Sequence, residues 1–226
     1  MIEKYINLNE DFSVEVELDI DEDVETYPWL FSLFIESELD EGSKEQIIST
    51  VEKKTFVKYV GMRFIDGWSE LYFYSLNSKN LQQDVYAYLQ QNGFKYEGGV
   101  VKDAKWDFYR GNLEPNELQY FMIESQKIIN MLVEEGDDIS KEREVEHYVM
   151  FDTQTQMQRF SETSKELGFE FKDEISSDEC QYGVALNKCH NLEYKTLNDT
   201  IKSLCELSNK EHGSYELWST TLAESD

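Results

Sequence analysis

The stretch Glu211-His212-Gly213-Ser214-Tyr215-Glu216-Leu217-Trp218-Ser219, preceded by Leu197, Ile201, Leu204 and Cys205 on one helical face, decides how the chain reads. Apolar residues at helical spacing, then a glycine, then strand formers describe a helix that returns its chain to a sheet. The same order occurs upstream, where Leu81, Val85, Tyr88 and Leu89 precede Gly93 and Phe94-Lys95-Tyr96. Two units of similar build are therefore expected.

Working outward through the second half, Val145 to Phe151 reads as a strand, and Thr153 with Gln156 caps a helix carrying Met157, Phe160 and Leu167 that ends at Gly168. Phe169-Glu170-Phe171 and Tyr182, Val184 and Leu186 form a hairpin around the polar Asp173 to Glu179 loop. In the first half, Phe12, Val14, Val16, Leu18 and Ile20 alternate with Ser13, Glu15, Glu17, Asp19 and Asp21. That is the period of a strand with one buried face and a row of carboxylates on the other. Trp29 to Ile35 is nearly continuous apolar sequence, as a strand covered on both sides requires. Ser43 and Gln46 signal a helix start, and Ser78 another. Asp66-Gly67 between Met62-Arg63-Phe64-Ile65 and Leu71-Tyr72-Phe73-Tyr74 marks a tight hairpin. Gly98-Gly99 reads as the end of the last strand, and Pro115 opens a helix bearing Leu118, Phe121, Met122, Ser125, Ile128, Ile129 and Leu132.

The expected fold class is therefore α+β, with two ferredoxin-like βαββαβ domains built on antiparallel sheets. A helix and the acidic linker Glu134-Glu135-Gly136-Asp137-Asp138 join them. The domains are placed at residues 1–135 and 142–226.

Charge narrows the function. With 47 acids against 21 bases the net charge is −26, of which residues 1–43 carry −13, residues 44–112 carry +2 and residues 113–226 carry −15. Such a field repels phosphates and attracts basic surfaces, so nucleic acid is excluded as a direct partner and a basic protein surface is expected. Cys180, Cys189 and Cys205 form no Cys-x-x-Cys pair, which indicates neither a disulfide framework nor a zinc ribbon. Met1-Ile2-Glu3-Lys4 leads into acidic residues without an apolar leader, and no run approaches a membrane span, so a cytoplasmic location is expected.

Catalytic chemistry is not announced. There is no Gly-x-Ser-x-Gly elbow, phosphate-binding loop, dinucleotide fingerprint or His-Glu-x-x-His, so no enzyme, cofactor or metal is assigned. Asp19, Asp21 and Asp23 open like a calcium loop, but Val24 stands in place of the turn glycine and Leu30 in place of the bidentate Glu. Cys189-His190 lacks further ligands and reads as a strand end. His147, on a face with Val145, Val149 and Phe151, reads as a hydrogen-bonded histidine at the sheet border. His212 reads as compensating a helix C-terminus.

Two resemblances add to this reading. Tyr27-Pro28-Trp29-Leu30-Phe31, Gly67-Trp68-Ser69-Glu70-Leu71-Tyr72-Phe73-Tyr74 and Asp103-x-x-Trp106-x-x-Tyr109-x-x-x-Leu113-x-Pro115 resemble domain of unknown function 695, across about residues 10 to 135. The second half, about 142 to 222, is similar to the regulator of ribonuclease activity B family. It keeps Gly213, Tyr215 and Trp218 of that family's Gly-Gly-x-Tyr-Asp-Gly-Trp-Glu ending, with His212 where a glycine is usual. The resemblance implies a small, acidic, non-catalytic cytoplasmic protein that binds ribonuclease E and inhibits RNA cleavage. On that reading Glu15, Glu17, Asp19 and Asp21 steer a basic partner, ribonuclease E or another RNA-decay component, while Tyr215 and Trp218 anchor it. The alternatives are a small-molecule binder or enzyme using a groove between the domains, and self-pairing at a sheet edge.

Overall fold

The computed structural model describes residues 2–7, 12–20, 25–53, 56–178 and 180–223; Asp21 and Asp23 lie outside them. The chain divides into two compact units, Met1–Gln119 and Tyr120–Asp226, and both are α+β with antiparallel sheets.

The first unit runs β1 (Ile2–Asn7), β2 (Phe12–Glu17), β3 (Trp29–Ile35), α1 (Glu41–Glu52), β4 (Val57–Ile65), β5 (Trp68–Ser75), α2 (Gln83–Gln91), β6 (Tyr96–Lys102) and α3 (Asp107–Asn112). Its sheet is ordered β1-β2-β4-β5-β3-β6. Asp66 at φ 51° and Gly67 at φ 82° make the expected tight turn between β4 and β5, since both positions need the left-handed region. The strand β3 lies between β5 and β6, which explains its continuous apolar run.

Three local expectations in this unit are corrected. Helix α1 begins at Glu41 because Asp40, not Ser43, caps it, its carboxylate accepting from Ser43 N at 2.9 Å. Helix α2 has no side-chain cap at its start, so Ser78 plays no such part. The pair Gly98-Gly99 lies inside β6 rather than ending it. A Cβ at Gly98 would fall 2.6 Å from the Tyr86 hydroxyl and 2.8 Å from Ser32 O, so the glycine admits a close approach instead of a turn.

Both faces of this sheet are covered. On one, Phe31, Leu33, Ile35, Leu71 and Phe73 meet Ile47 and Val51 of α1 and Val85 and Leu89 of α2. On the other, the segment from Asp103 to Leu113 forms a clamp. Trp106, fully buried, stacks on Tyr74 at 3.9 Å and donates from Nε1 to Tyr27 O. Asp103 caps α3 through the N–H groups of Asp107 and Phe108 and accepts from the Tyr74 hydroxyl. The Tyr109 hydroxyl donates to Glu17 O, and the Tyr5 hydroxyl donates to Leu113 O, which ties the β1–β2 hairpin to the clamp. The motif residues of the first resemblance are thus structural members.

The second unit contains most of α4 (Glu117–Glu134), then β7 (Arg143–Phe151), α5 (Gln154–Ser164), a 3₁₀ turn at Lys165–Leu167, β8 (Glu170–Ile175), β9 (Tyr182–His190), α6 (Tyr194–Lys210) and β10 (Gly213–Thr220). The sheet order is β10-β7-β9-β8. The Thr153–Gln156 capping box is formed, and Gly168, at φ 82°, ends the 3₁₀ turn that follows its helix. Helix α4, which the sequence reading attaches to the first half, packs on the second sheet: Trp218 Nε1 donates to Ser125 Oγ at 2.9 Å, and Phe121 meets the Tyr215 ring edge-on at 5.2 Å.

The acidic run read as a linker is part of this core. Asp137 has a fully buried side chain whose two oxygens both accept from Arg143 Nη1, at 2.8 and 2.6 Å, while Ala223 N donates to the same carboxylate. Asp138 N donates to Ala223 O and its own carbonyl accepts from Arg143 Nη2. The clasp therefore fixes the chain on both sides of the unit. Burial raises the Asp137 pKa, but Arg143 and the Ala223 N–H outweigh it and hold the carboxyl below its usual range.

The closing strand explains its own spacing. Tyr215 pairs with Val149, Leu217 with Tyr148 and Trp218 with His147, so the register slips by one residue at Glu216. Residues three apart on a regular strand face opposite ways. The bulge returns Trp218 to the face of Tyr215, under the helices. His212, at φ 56°, occupies the left-handed position after α6, and Gly213 follows because a Cβ there would lie 2.2 Å from the Phe151 ring. The residue that ends this helix is His212 rather than the glycine.

Candidate functional site

Of the sequence-derived site residues, Glu15 and Glu17 line one pocket of the first unit, and Tyr215 and Trp218 are buried in the second. Glu15 is buried and held by two lysines, Lys44 at 2.9 Å and Lys4 at 2.8 Å, because its side chain faces α1 while Val14 and Val16 face the clamp. The expected solvent row of carboxylates is thus reduced to half-buried Glu17, whose Oε1 accepts from Asp19 N, and exposed Asp19; Asp21 lies outside the described residues. Tyr215 and Trp218 are 2% and 4% exposed, so they pack the second core and present no anchor to a partner.

Three other places carry chemistry. In the first unit, β1, β2, β4 and α1 enclose a pocket of about 520 Å³ whose wall includes Glu15, Glu17, Glu41, Glu45 and Glu52 together with Lys4, Lys44 and Lys58. Tyr59 lines it, and its hydroxyl, which has no hydrogen-bond partner among the described residues, is pushed far up by burial and then by Glu15, Glu41 and Glu52.

In the second unit a chain of hydrogen bonds runs through the core. Asn191 O can only accept, so His190 Nδ1 carries a proton and His190 Nε2 is an acceptor, 3.3 Å from His147 Nε2. His147 Nε2–H donates to it, and His147 Nδ1 accepts from the Tyr215 hydroxyl at 3.0 Å. Both rings are neutral in this arrangement. Burial drives the His147 pKa down to about 3, with His190 and Lys188 adding to the effect, and burial lowers His190 as well. Burial raises Tyr215. The reading of His147 as a hydrogen-bonded sheet histidine agrees with this network, but its burial and its partners came only with the fold. Cys189 beside it is exposed, on the opposite face from His190.

The third place is the face of the second sheet turned away from its helices. Tyr148, Met150, Ile175, Ser176, Ser177, Cys180, Glu216 and Leu217 line a depression of about 440 Å³ there. Leu217 is 52% exposed, and the edge strand β8 exposes Glu170, Phe171, Lys172, Asp173 and Glu174 in succession. Nothing in the sequence pattern separated Leu217 from the core; the bulge at Glu216 decides it. Among the described residues no helix is long and apolar enough to cross a membrane.

Comparison with known proteins gives the following. Solved structures with similarity include a candidate glycine cleavage system transcriptional repressor, at 10% identity and TM-score 0.26, covering 85% of this chain and 98% of that one. An unknown protein from Galdieria sulphuraria matches at 11% identity and TM-score 0.24, covering 87% and 99%. A protein from Bacteroides thetaiotaomicron matches at 7% identity and TM-score 0.21, covering 86% and 94%. No curated protein matches the chain. Residues 41–113, from the first residue of α1 to the clamp, match a family of unknown function. Residues 122–220, which take in most of α4 and end with β10, match the family described as regulator of ribonuclease activity B.

Proposed function

We propose that the protein is a non-catalytic regulator of a ribonuclease, acting in the cytoplasm by binding a basic surface of that enzyme, of the ribonuclease E kind, and so slowing RNA decay. The observation that carries this reading is the family match over residues 122–220, which spans nearly the whole second unit. Each unit is taken as ferredoxin-like, since each contains the order strand-helix-strand-strand-helix-strand with the first strand of the six-element unit paired to the third and fourth. The partner's surface would lie against the second sheet's helix-free face, where Tyr148 and Leu217 supply apolar area and β8 supplies carboxylates. The net charge of −26 favours a cationic partner.

Cleavage of a fluorogenic RNA by purified ribonuclease E tests the proposal. Excess protein slows the reaction at low ionic strength, and raised salt relieves the inhibition as charge attraction is screened. Leu217→Glu, placed in the proposed face, weakens inhibition by about tenfold, corresponding to roughly 1.4 kcal/mol. Undiminished cleavage across the whole protein titration at low salt sinks the reading. A second copy pairing along the exposed edge of β8 is the other partner this geometry admits, and it would show as a concentration-dependent mass in sedimentation.

A further inference from the structure

We infer that the pocket between α1 and the β1–β2 hairpin is a binding site for a primary alkylammonium group, presented on a free amine or on a lysine side chain. The inference stands apart from the ribonuclease reading, which rests on the other half of the chain.

The wall of the pocket joins the β1–β2 hairpin and β4 to α1. The hairpin β1–β2 extends the sheet beyond β4, and Ile2, Lys4, Glu15 and Glu17 from it face a stripe of α1. On that stripe Glu41, Glu45, Ile48 and Glu52 recur at helical spacing. Charge in the wall is not balanced. Lys44 is occupied by Glu15 and Glu41, Lys4 by Glu15, and Lys58 Nζ donates to Asp19 O. Glu45 and Glu52 have no cation partner among the described residues, so the uncompensated charge is negative.

Tyr59 supplies the independent sign of a ligand. It is 5% exposed, its ring packs against Phe73, and its hydroxyl has no partner among the described residues. A buried hydroxyl without a partner is unfavourable, and a ligand donor that reached it would remove that penalty. Hydroxyl and carboxylate oxygens both accept, which matches a head group with three N–H donors and no acceptor. Ile2 and Ile48 give the wall an apolar part suited to the methylene stem behind such a head. A planar guanidinium is less suited to the Tyr59 hydroxyl, because its fork pairs best with the two oxygens of one carboxylate.

The test uses the full chain and two probes, n-pentylammonium and N-acetyl-lysine methylamide, with n-pentanol and N-acetyl-norleucine methylamide as neutral isosteres, followed by amide chemical shifts. Saturable shifts around Lys44, Ile48 and Tyr59 are expected for the ammonium probes, with the isosteres at least tenfold weaker. Binding of both probes assigns the site to free amines as well as lysines, and binding of the lysine probe alone assigns it to a polypeptide. Tyr59→Phe weakens the ammonium probes about tenfold yet raises the melting temperature of the free protein. Glu52→Gln, which keeps an oxygen to accept from Tyr59 N, also weakens them. Equal affinity for the isosteres, no saturable shift with either ammonium probe, or unchanged binding by Tyr59→Phe overturns the assignment.

Discussion

The two sheets share one order of connections and differ in what covers them. In the first unit α1 and α2 close one face, and the clamp of Asp103, Trp106, Tyr109 and Leu113 closes the other, so the strands are filled with aromatic residues on both sides. In the second, α4, α5 and α6 all attend to one face, and the interior there holds a polar chain of Tyr215, His147 and His190. The same topology thus tolerates two solutions to burial. A doubly covered sheet is a scaffold whose sites must sit at its margins, as the α1 pocket does. A singly covered one has a whole face to offer, and its specificity of packing is carried by hydrogen bonds that titrate.

The largest expected effect tests the coverage itself. Trp106→Ala removes a fully buried ring, its stacking on Tyr74 and its bond to Tyr27 O, and costs about 3–5 kcal/mol in denaturant unfolding. Leu217→Ala on the exposed face of the second sheet costs under about 0.5 kcal/mol, so comparable losses from the two would break the contrast. Asp137→Ala strands the Arg143 guanidinium in the second core and costs a similar 3–5 kcal/mol or so, read as lost hydrogen-exchange protection confined to residues of that unit.

Acid sharpens the contrast further. A histidine neutral in the fold but free to protonate when unfolded withdraws stability as pH drops below its unfolded pKa near 6.5. The loss continues until the folded pKa of about 3 is reached. From His147 alone the second unit loses up to about 1.4 kcal/mol per pH unit in that window, or about 2 kcal/mol by pH 5. Exchange protection measured against pH therefore falls in the second unit before the first, and His147→Phe, although less stable at pH 7, flattens the dependence. An acid response of equal slope in both units would count against the histidine chain as its source. One change is expected to be a gain: His212→Gly relieves a left-handed backbone at an exposed position and stabilises by about 1 kcal/mol in thermal melts.

Legibility in the sequence followed the range of the interactions. The Asp66-Gly67 turn, the Thr153–Gln156 cap and the buried strand Trp29–Ile35 depend on a few neighbouring residues, and their patterns sufficed. Glu15 and Asp137 were misplaced because their partners, Lys44 and Arg143, come from other elements, and an unpaired acid reads as solvated until its cation is found. Gly98 looks like a break in the sequence because the Tyr86 hydroxyl that crowds it belongs to α2. Tyr215 and Trp218 were recognised as a pair, but a three-residue spacing gives no sign of the bulge that puts both on one face. The α1 pocket left no signal, since its lining residues come from four elements.

The clasp between Asp137, Arg143 and the chain near Ala223 determines how the protein can be cut for study. A fragment begun at residue 142, where the acidic run invites a boundary, discards the partner of a buried guanidinium and the carbonyl of Ile139 that receives Leu192 N. One ended at Thr220 loses Ala223, which closes the clasp from the other side. An independently expressed second half must therefore include α4 and extend from residue 117 through 223. Assays on shorter pieces would report the consequences of an opened core as if they were the absence of a function.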